Sequence, residues 1–341
     1  MLELSHSILL ARLIARQDLP ADHARWAFDQ IMDGQWTEAQ VAGLLVALAC
    51  KGETVEEMTG AVVAMRAHAI PVNSEGLDVV DTCGTGGTGI STFNISTAAA
   101  LVAAGAGVAV AKHGNRTYTR ASGSANVLMS LGVNIDCDPA VEARCLREAG
   151  VCFCFAVKHH PAMKYAAPVR KQLAVRTIFN VLGPLTNPAG ARRQLMGVPA
   201  DHLTETVARV LAALGAVRAM VVHGAEGLDE LSTTSSTCIA DLVDGRVTVR
   251  TVEPSAWGLP QARLEDLLVA SPEASAAVVR DVLAGRCGPA RDIVTLNAAA
   301  AIVVAGRAGD IPAGLEQARR SIDSGAARGA LERLIALSNG K

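Results

Sequence analysis

Four glycines within six residues form the part of the chain with the most specific chemical signal. These glycines are Gly84, Gly86, Gly87 and Gly89. They follow an apolar run at 77–80 and precede a helix of small residues that is predicted to begin near Ser96. A strand, a glycine turn and a helix N-terminus in this order present bare backbone N–H groups to a phosphate. The glycines match neither GxGxxG nor a P-loop, so by themselves they also fit an ordinary turn.

A second apolar run is followed by a group of basic and amide residues, Lys112, His113, Asn115 and Arg116. A solvated charged loop is the simpler interpretation. Ser122-Gly123-Ser124 then opens another predicted helix, whose N-terminus favours an anion. The glycine loop and this cationic loop together predict a cleft for a polyphosphate.

Hydroxyl and carboxylate groups at two further places suit a cation. Ser96 and Thr97 either cap their helix or offer hydroxyls to a phosphate or a metal, and Asn94 stands just before them. Asp229 and Glu230 are adjacent carboxylates in a loop after a predicted strand. Hard oxygens of this kind suit Mg²⁺, which bridges to substrate phosphates.

Residues 158–188 add arginines and a histidine. Arg170 and Arg176 flank about one and a half turns of predicted helix, and an arginine fork suits a carboxylate. His160, before Pro161, fits a cap or core role as well as a ligand role.

The surrounding pattern indicates how these groups are positioned. Residues 1–70 read as helices with capping boxes at 37–40 and 54–57, and a break follows at 71–76. Strands are predicted at 77–82, 108–111, 151–155 and 219–223, helices at 139–150 and 272–285, and a hairpin at 239–251 with a type I′ turn. We therefore predict an α/β protein: a small all-helical domain (1–70) and a large α/β domain (71–341) with a mostly parallel central sheet flanked by helices.

Composition excludes several functions. The chain has 341 residues, a net charge of −2 and 3% aromatic residues, so neither a basic patch nor base-stacking platforms for nucleic acid are expected. No apolar run reaches the length of a membrane span. Eight scattered cysteines without a CxxC pair argue against zinc and predict buried, reduced thiols in a cytoplasmic protein.

Four motifs in order resemble the anthranilate phosphoribosyltransferase family of tryptophan biosynthesis. They are GTGG…NISTA, KHGNR…SGS, HPAMKYAAPVR…RTIFNVLGPLTNP and VVHGAEGLDE. The resemblance implies transfer of phosphoribose from 5-phosphoribosyl 1-pyrophosphate (PRPP) to the amine of anthranilate, with no covalent nucleophile. It also implies a homodimer formed through the helical domain, a returning piece of that domain near 160–185, and a site at the hinge between the domains.

Residue roles follow from the same resemblance. Donor contacts would come from Gly84, Gly87, Thr88, Thr92, Asn94, Ser96, Thr97, Lys112 and Ser124. Acceptor contacts would come from Gly84, Asn115, His160 and Arg170, with Arg170 on the carboxylate. Mg²⁺ would be held by Ser96, Asp229 and Glu230.

The chain departs from the family pattern mainly in the donor loops. Thr88 replaces a usual aspartate, Thr119-Arg120-Ala121 replace Ser-Ser-Lys, and Asn126 replaces a frequent aspartate. These differences predict altered donor affinity or metal optimum with the reaction kept. A paralogue with another aromatic acceptor, a pyrimidine-nucleoside-phosphorylase-like enzyme and a non-catalytic nucleic-acid binder are the alternatives.

Overall fold

A computed structural model describes residues 4–116 and 121–341. Four helices open the chain: α1 His6–Ile14, α2 Ala21–Met32, α3 Glu38–Lys51 and α4 Val55–Ala67. Both predicted capping boxes are confirmed, with Thr37 and Thr54 accepting from the backbone three residues on. Capping boxes thus start α3 and α4, and apolar side chains bury one face of each of the four helices.

The rest of the chain is an α/β unit. Its strands are β1 Val80–Asp81, β2 Val110–Gly114, β3 Val151–Phe155, β4 Arg193–Gly197, β5 Arg218–Gly224, β6 Thr237–Val243 and β7 Arg246–Val252. Its helices are α5 Ile95–Gly105, α6 Ser124–Leu131, α7 Pro139–Ala149, α8 Ala156–His159, α9 Ala167–Leu173, α10 Phe179–Leu182, α11 His202–Ala213, α12 Pro272–Leu283, α13 Pro289–Val304, α14 Ile311–Asp323 and α15 Ala326–Ser338. Short 3₁₀ turns lie at Pro161–Tyr165, Gly183–Thr186, Pro254–Trp257 and Leu264–Leu267.

The seven strands form one sheet in the order β3-β2-β1-β4-β5-β6-β7. Strands β1 to β5 pair in parallel, and β6 and β7 form an antiparallel edge, so the mostly parallel sheet is confirmed. The predicted hairpin is confirmed too, with left-handed backbone at Asp244 and Gly245. The chain moves outward from β1 in one direction and from β4 in the other, so β1 and β4 flank a topological switch point. Ligands of open α/β sheets bind at such a point.

Two hydrophobic cores support the sheet. One surrounds α5 and α13, whose alanines allow close packing. The other holds α1–α4 together with residues between Ala166 and Leu185, and it continues onto β4, β5 and α11. The segment that follows β3 thus returns to pack among the N-terminal helices.

The chain crosses between the helical part and the α/β part at a short hydrogen-bonded strip. Ile70 donates its N–H to the His159 carbonyl oxygen (2.8 Å), and Nδ1 of His159 contacts the Ile70 carbonyl oxygen (2.7 Å). Val72 donates to the Pro188 carbonyl oxygen (3.0 Å), and Arg66 Nε donates to the carbonyl of Leu185. We call this strip the crossing junction.

The cysteines are all free thiols, but they are not all buried. Cys145, Cys152 and Cys154 lie in the core, as predicted, whereas the prediction was wrong for Cys50 and Cys287, which are exposed. Within residues 4–116 and 121–341, no helix combines the length and apolarity needed to cross a bilayer.

Candidate functional site

Three loops meet at the switch point. The glycine loop after β1 donates the Thr85 N–H to the Gly197 carbonyl oxygen at the end of β4 (2.9 Å). It also donates the Gly86 N–H to Oδ2 of Asp229, in the loop after β5 (2.9 Å). The glycine loop and the paired carboxylates, 143 residues apart in sequence, are therefore in direct contact.

Glycine is required where these loops touch. A Cβ on Gly84 would lie 2.8 Å from Asp229 Oδ2 and 3.3 Å from the Gly197 carbonyl oxygen. A Cβ on Gly197 would overlap the Asp229 backbone. The absence of side chains here lets a carboxylate approach the glycine loop closely.

Lys112 and His113 lie within β2, so their predicted place in a loop was wrong, and the simpler interpretation of a solvated loop does not hold for these two residues. The Lys112 side chain is buried because its ammonium donates to the Thr82 carbonyl oxygen (3.0 Å) and to Ser96 Oγ (3.3 Å). The Ser96 N–H in turn donates to Glu230 Oε1 (3.2 Å). An ammonium, a hydroxyl and a carboxylate are thus joined beside the glycine loop.

Asn94 is the N-cap of α5, so neither Ser96 nor Thr97 caps this helix. Its side-chain oxygen accepts from Ser122 Oγ (2.6 Å) and Ser275 Oγ (2.8 Å). Asn94 therefore ties the start of α5 to the loop before α6 and to α12.

The other predicted donor residues differ in burial and in their contacts. Thr97 is only 1% exposed, and Thr92 is buried and bridges to Leu268. Thr88 accepts from the Ile90 N–H (3.3 Å), and Ser124 Oγ donates to the Asn115 carbonyl oxygen (3.2 Å). Thr119 and Arg120 lie outside the described residues.

Two of the predicted acceptor residues, His160 and Arg170, lie in the returning segment itself. The His160 ring lies 5.2 Å from the His113 ring, and burial, with the nearby His159 charge, lowers the pKa of His160 to about 4. His160 is therefore a neutral imidazole at pH 7. The Arg170 guanidinium lies over the Phe179 ring at 5.3 Å, and burial lowers its pKa, although an arginine remains charged.

Arg176 contacts the glycine loop, although the family resemblance gave it no role in the site. Among the described residues, no hydrogen bond or ion pair joins Arg170 to the glycine loop, whereas Arg176 Nη1 donates to the Gly87 carbonyl oxygen (3.1 Å). Helix α9 ends at Leu173, and Ala174 turns the chain with φ of 52°, so the two arginines do not share a helix. The sequence signals for it were its arginine fork, its proximity to Arg170 and its place at the start of the RTIFN motif.

A buried carboxylate underlies the site. Asp81, at the end of β1, accepts from the His113 N–H (3.1 Å) and from Asn187 Nδ2 (2.8 Å). Burial raises the pKa of Asp81 to about 6 despite the Lys112 charge. Burial also raises the pKa of the Cys83 thiol, so this thiol is no thiolate nucleophile at pH 7.

The donor set fits a hard cation. Asp229 and Glu230 supply carboxylate oxygens, and the Ser96 hydroxyl lies next to the Glu230 contact. Gly84 leaves room at Asp229 Oδ2 that a side chain would fill. Oxygen ligands of this kind suit Mg²⁺ better than a soft metal.

Comparison with known proteins identifies the family of the two parts of the chain. Residues 7–69 match the helical bundle domain of a glycosyl transferase family, and residues 76–328 match its a/b domain. Anthranilate phosphoribosyltransferase of Thermomicrobium roseum is 52% identical over 97% of this chain and 96% of its own length. The enzyme of Methylobacillus flagellatus is 48% identical over 99% of both chains.

Solved structures give the same assignment. The crystal structure of anthranilate phosphoribosyltransferase from Thermus thermophilus superposes with a TM-score of 0.92 at 40% identity, covering 97% of this chain and 99% of that one. The Saccharomyces cerevisiae enzyme in complex with PRPP and Mg has a TM-score of 0.89 at 26% identity, covering 99% of both. The chain belongs to the anthranilate phosphoribosyltransferase family.

Proposed function

We propose that this protein transfers 5-phosphoribose from PRPP to the amine of anthranilate and releases pyrophosphate. The observation that carries the proposal is the convergence of the glycine loop, Lys112 and the Asp229-Glu230 pair at the switch point. The family membership supports the same reaction, since relatives about 50% identical over nearly the whole chain bear this name.

The chemistry explains these residue types. Breaking the C1–O bond leaves an oxocarbenium-like sugar and a departing pyrophosphate, whose charge backbone N–H groups and the Lys112 ammonium would offset. The anthranilate amine is neutral at pH 7, attacks C1 and then loses a proton to solvent. A bound Mg²⁺ would neutralise pyrophosphate charge, and Ser96, Asp229 and Glu230 would hold it.

We assign the remaining contacts as the resemblance implies. Gly84, Gly87, Thr88, Thr92, Asn94, Thr97 and Ser124 would contact the donor, and Asn115, His160 and Arg170 the acceptor. Arg170 retains its charge and would pair with the anthranilate carboxylate. The neutral His160 would line the acceptor side without opposing the positive charge that the amine nitrogen gains as it attacks C1.

A fluorescence assay tests the reaction. Anthranilate is fluorescent, so its loss in the presence of PRPP and Mg²⁺ measures turnover directly. Loss with anthranilate but not with other aromatic acids supports the proposal. Turnover of another aromatic amine in preference to anthranilate would instead favour the paralogue alternative.

Thr88 would alter donor affinity or the metal optimum. The family usually places an aspartate here, and the chain lacks that carboxylate beside the pyrophosphate. Thr88→Asp should therefore shift the PRPP KM or the Mg²⁺ profile. If both values were unchanged, the proposed effect of Thr88 on donor affinity or metal optimum would be wrong, while the proposed reaction would still stand.

We further propose that the protein is a cytoplasmic homodimer. Each chain would have a small helical domain, residues 1–70 joined by the returning segment near 160–185, and a large α/β domain within residues 71–341. An apolar groove of about 520 Å³ lies between α1 and α3, where Ile14 is 76% exposed and Val46 41% exposed. A second copy seated on this groove would cover both side chains. Sedimentation should show a dimer that Val46→Glu dissociates, and Cys50, which lines the groove, should react with iodoacetamide more slowly than Cys287.

A further inference from the structure

The turn that carries Asp229 and Glu230 is built around a third carboxylate. Glu226 Oε1 accepts from the hydroxyls of Ser232 and Thr234, and its Oε2 accepts from the hydroxyl of Ser235. Hydrogen bonds to an ionised carboxylate are shorter and stronger than neutral ones. Glu226 therefore closes the turn from residue 226 to residue 235 through its side chain, with the paired carboxylates between the two ends.

The backbone of the same turn is held from below. Asn297, on α13 and fully buried, accepts from the Leu231 N–H (3.0 Å) and donates to the Leu231 carbonyl oxygen (2.9 Å). Leu231 directly follows Glu230. At the other end, Gly224 donates its N–H to the Leu228 carbonyl oxygen (2.8 Å), directly before Asp229.

Neither Glu226 nor Asn297 has a role in the site described above. Asp229 contacts the glycine loop and Glu230 contacts Ser96, and the backbone that carries both is held on either side of the pair. We propose that Glu226, with Asn297 beneath it, is a positioning residue that sets the orientation of the Asp229-Glu230 pair and thereby the affinity for the divalent cation. The inference rests on the proposed function, because it takes that pair as the cation's ligands.

Manganese binding tests this role without relying on turnover. Mn²⁺ is titrated into wild-type protein, Glu226→Gln and the matched control Glu253→Gln in the presence of PRPP, and free Mn²⁺ is read by electron paramagnetic resonance. Glu253 is an exposed carboxylate outside this turn. Outer partners of metal ligands contribute about 10- to 100-fold to affinity, so Glu226→Gln should weaken Mn²⁺ binding about tenfold. The control should match the wild type.

A turnover measurement separates positioning from general damage. The Glu226→Gln enzyme should recover a kcat close to the wild-type value at saturating Mg²⁺, because only the cation affinity has changed. If that variant fails to fold, Thr234→Val removes one of the three hydroxyl donors with little change of shape. It should raise the Mn²⁺ dissociation constant by about threefold, less than the roughly tenfold expected for Glu226→Gln, because two donors remain.

The outcomes are distinct. Equal Mn²⁺ binding by wild type and Glu226→Gln would overturn the positioning role and leave the proposed function in place. A kcat that stays low at saturating Mg²⁺ would also overturn it. No Mn²⁺ binding by the wild type with PRPP would instead remove the cation assignment of the proposed function, and this inference with it.

Discussion

Replacing Gly84 by alanine tests whether the contact between the glycine loop and Asp229 matters for donor use. The new Cβ would lie 2.8 Å from Asp229 Oδ2, whereas ordinary contact begins near 3.4 Å, so the carboxylate must move by 3.4 − 2.8 = 0.6 Å. The Gly197 carbonyl oxygen, 3.3 Å away, limits movement of the loop in the other direction. This shift would directly weaken the hydrogen bond from the Gly86 N–H to Asp229 Oδ2, because it displaces that oxygen.

The expected magnitude follows from that one bond. A hydrogen bond to a charged group contributes about 1.5–3 kcal/mol, which corresponds to roughly a 10- to 150-fold change in an equilibrium or rate ratio. We expect kcat/KM for PRPP to fall within this range, measured by the loss of anthranilate fluorescence. The melting temperature should change by only a few degrees, since no core residue is touched.

Two controls make the test specific. Gly309 lies in an exposed turn with nothing within 4 Å of a built Cβ, so Gly309→Ala should leave both kcat/KM and stability unchanged. A double-mutant cycle with Asp229→Asn should be strongly non-additive, because both changes act on the same contact. A folded Gly84→Ala enzyme with a kcat/KM within threefold of the wild type would refute the reasoning.

Three further outcomes concern stability. Glu57→Ala should lower the free energy of unfolding in urea by about 2–4 kcal/mol, because the backbone N–H groups of Leu19 and Thr54 lose their acceptor, while the Lys51 ammonium keeps Asp18 as a carboxylate partner. Burial acts to lower the pKa of His159, but the hydrogen bond and charge of Glu142 outweigh it and raise that pKa. The stability advantage of wild type over Glu142→Gln should therefore be complete below about pH 6.5 and decline as the pH rises through the raised pKa, in urea titrations at several pH values. Asn187→Ala removes a hydrogen-bond donor to Asp81, whose pKa is about 6, and should lower the free energy of unfolding by about 2–3 kcal/mol at pH 7. Thermal unfolding should show a smaller decrease at pH 5, because Asp81 is then mostly protonated and depends less on this donor.

Local patterns predicted the elements that local interactions determine. Helix α7 begins after Asp138 with a proline at its first position and ends before Gly150, whose φ of 76° needs no Cβ. The hairpin turn was predictable for the same reason. The predicted strand at 77–82 is shorter in the structure, where only Val80–Asp81 pair with neighbouring strands and Leu77, 39% exposed, lies outside the sheet.

Strand β4 was not predicted, because its RQLMG sequence shows neither alternation nor a continuous apolar run. Lys112 interrupts the apolar run of β2, so the sequence suggested a loop where the strand continues to Gly114. The ammonium is buried against Thr82, in the loop that follows β1, and against Ser96 on α5. Burial of a charge through distant partners leaves no local trace in a sequence.

The same limit applies to the candidate site. The glycine loop, Lys112 and the Asp229-Glu230 pair were predicted to converge because each follows or ends a parallel strand, and the structure brings them together. Arg176, Glu226 and Asn297 act through backbone groups or hydroxyls elsewhere in the chain. Such contacts depend on tertiary geometry, which residue spacing does not specify.

The crossing junction has a mechanical consequence for substrate exchange. Its chain segments are bound to one another backbone to backbone at Ile70–His159 and Val72–Pro188, so they cannot bend independently. Arg170 and Arg176 lie in the segment that packs among the N-terminal helices. A change in the angle at this strip would therefore alter the distance of both arginines from the glycine loop, and with it the width of the space that the proposed function assigns to the two substrates.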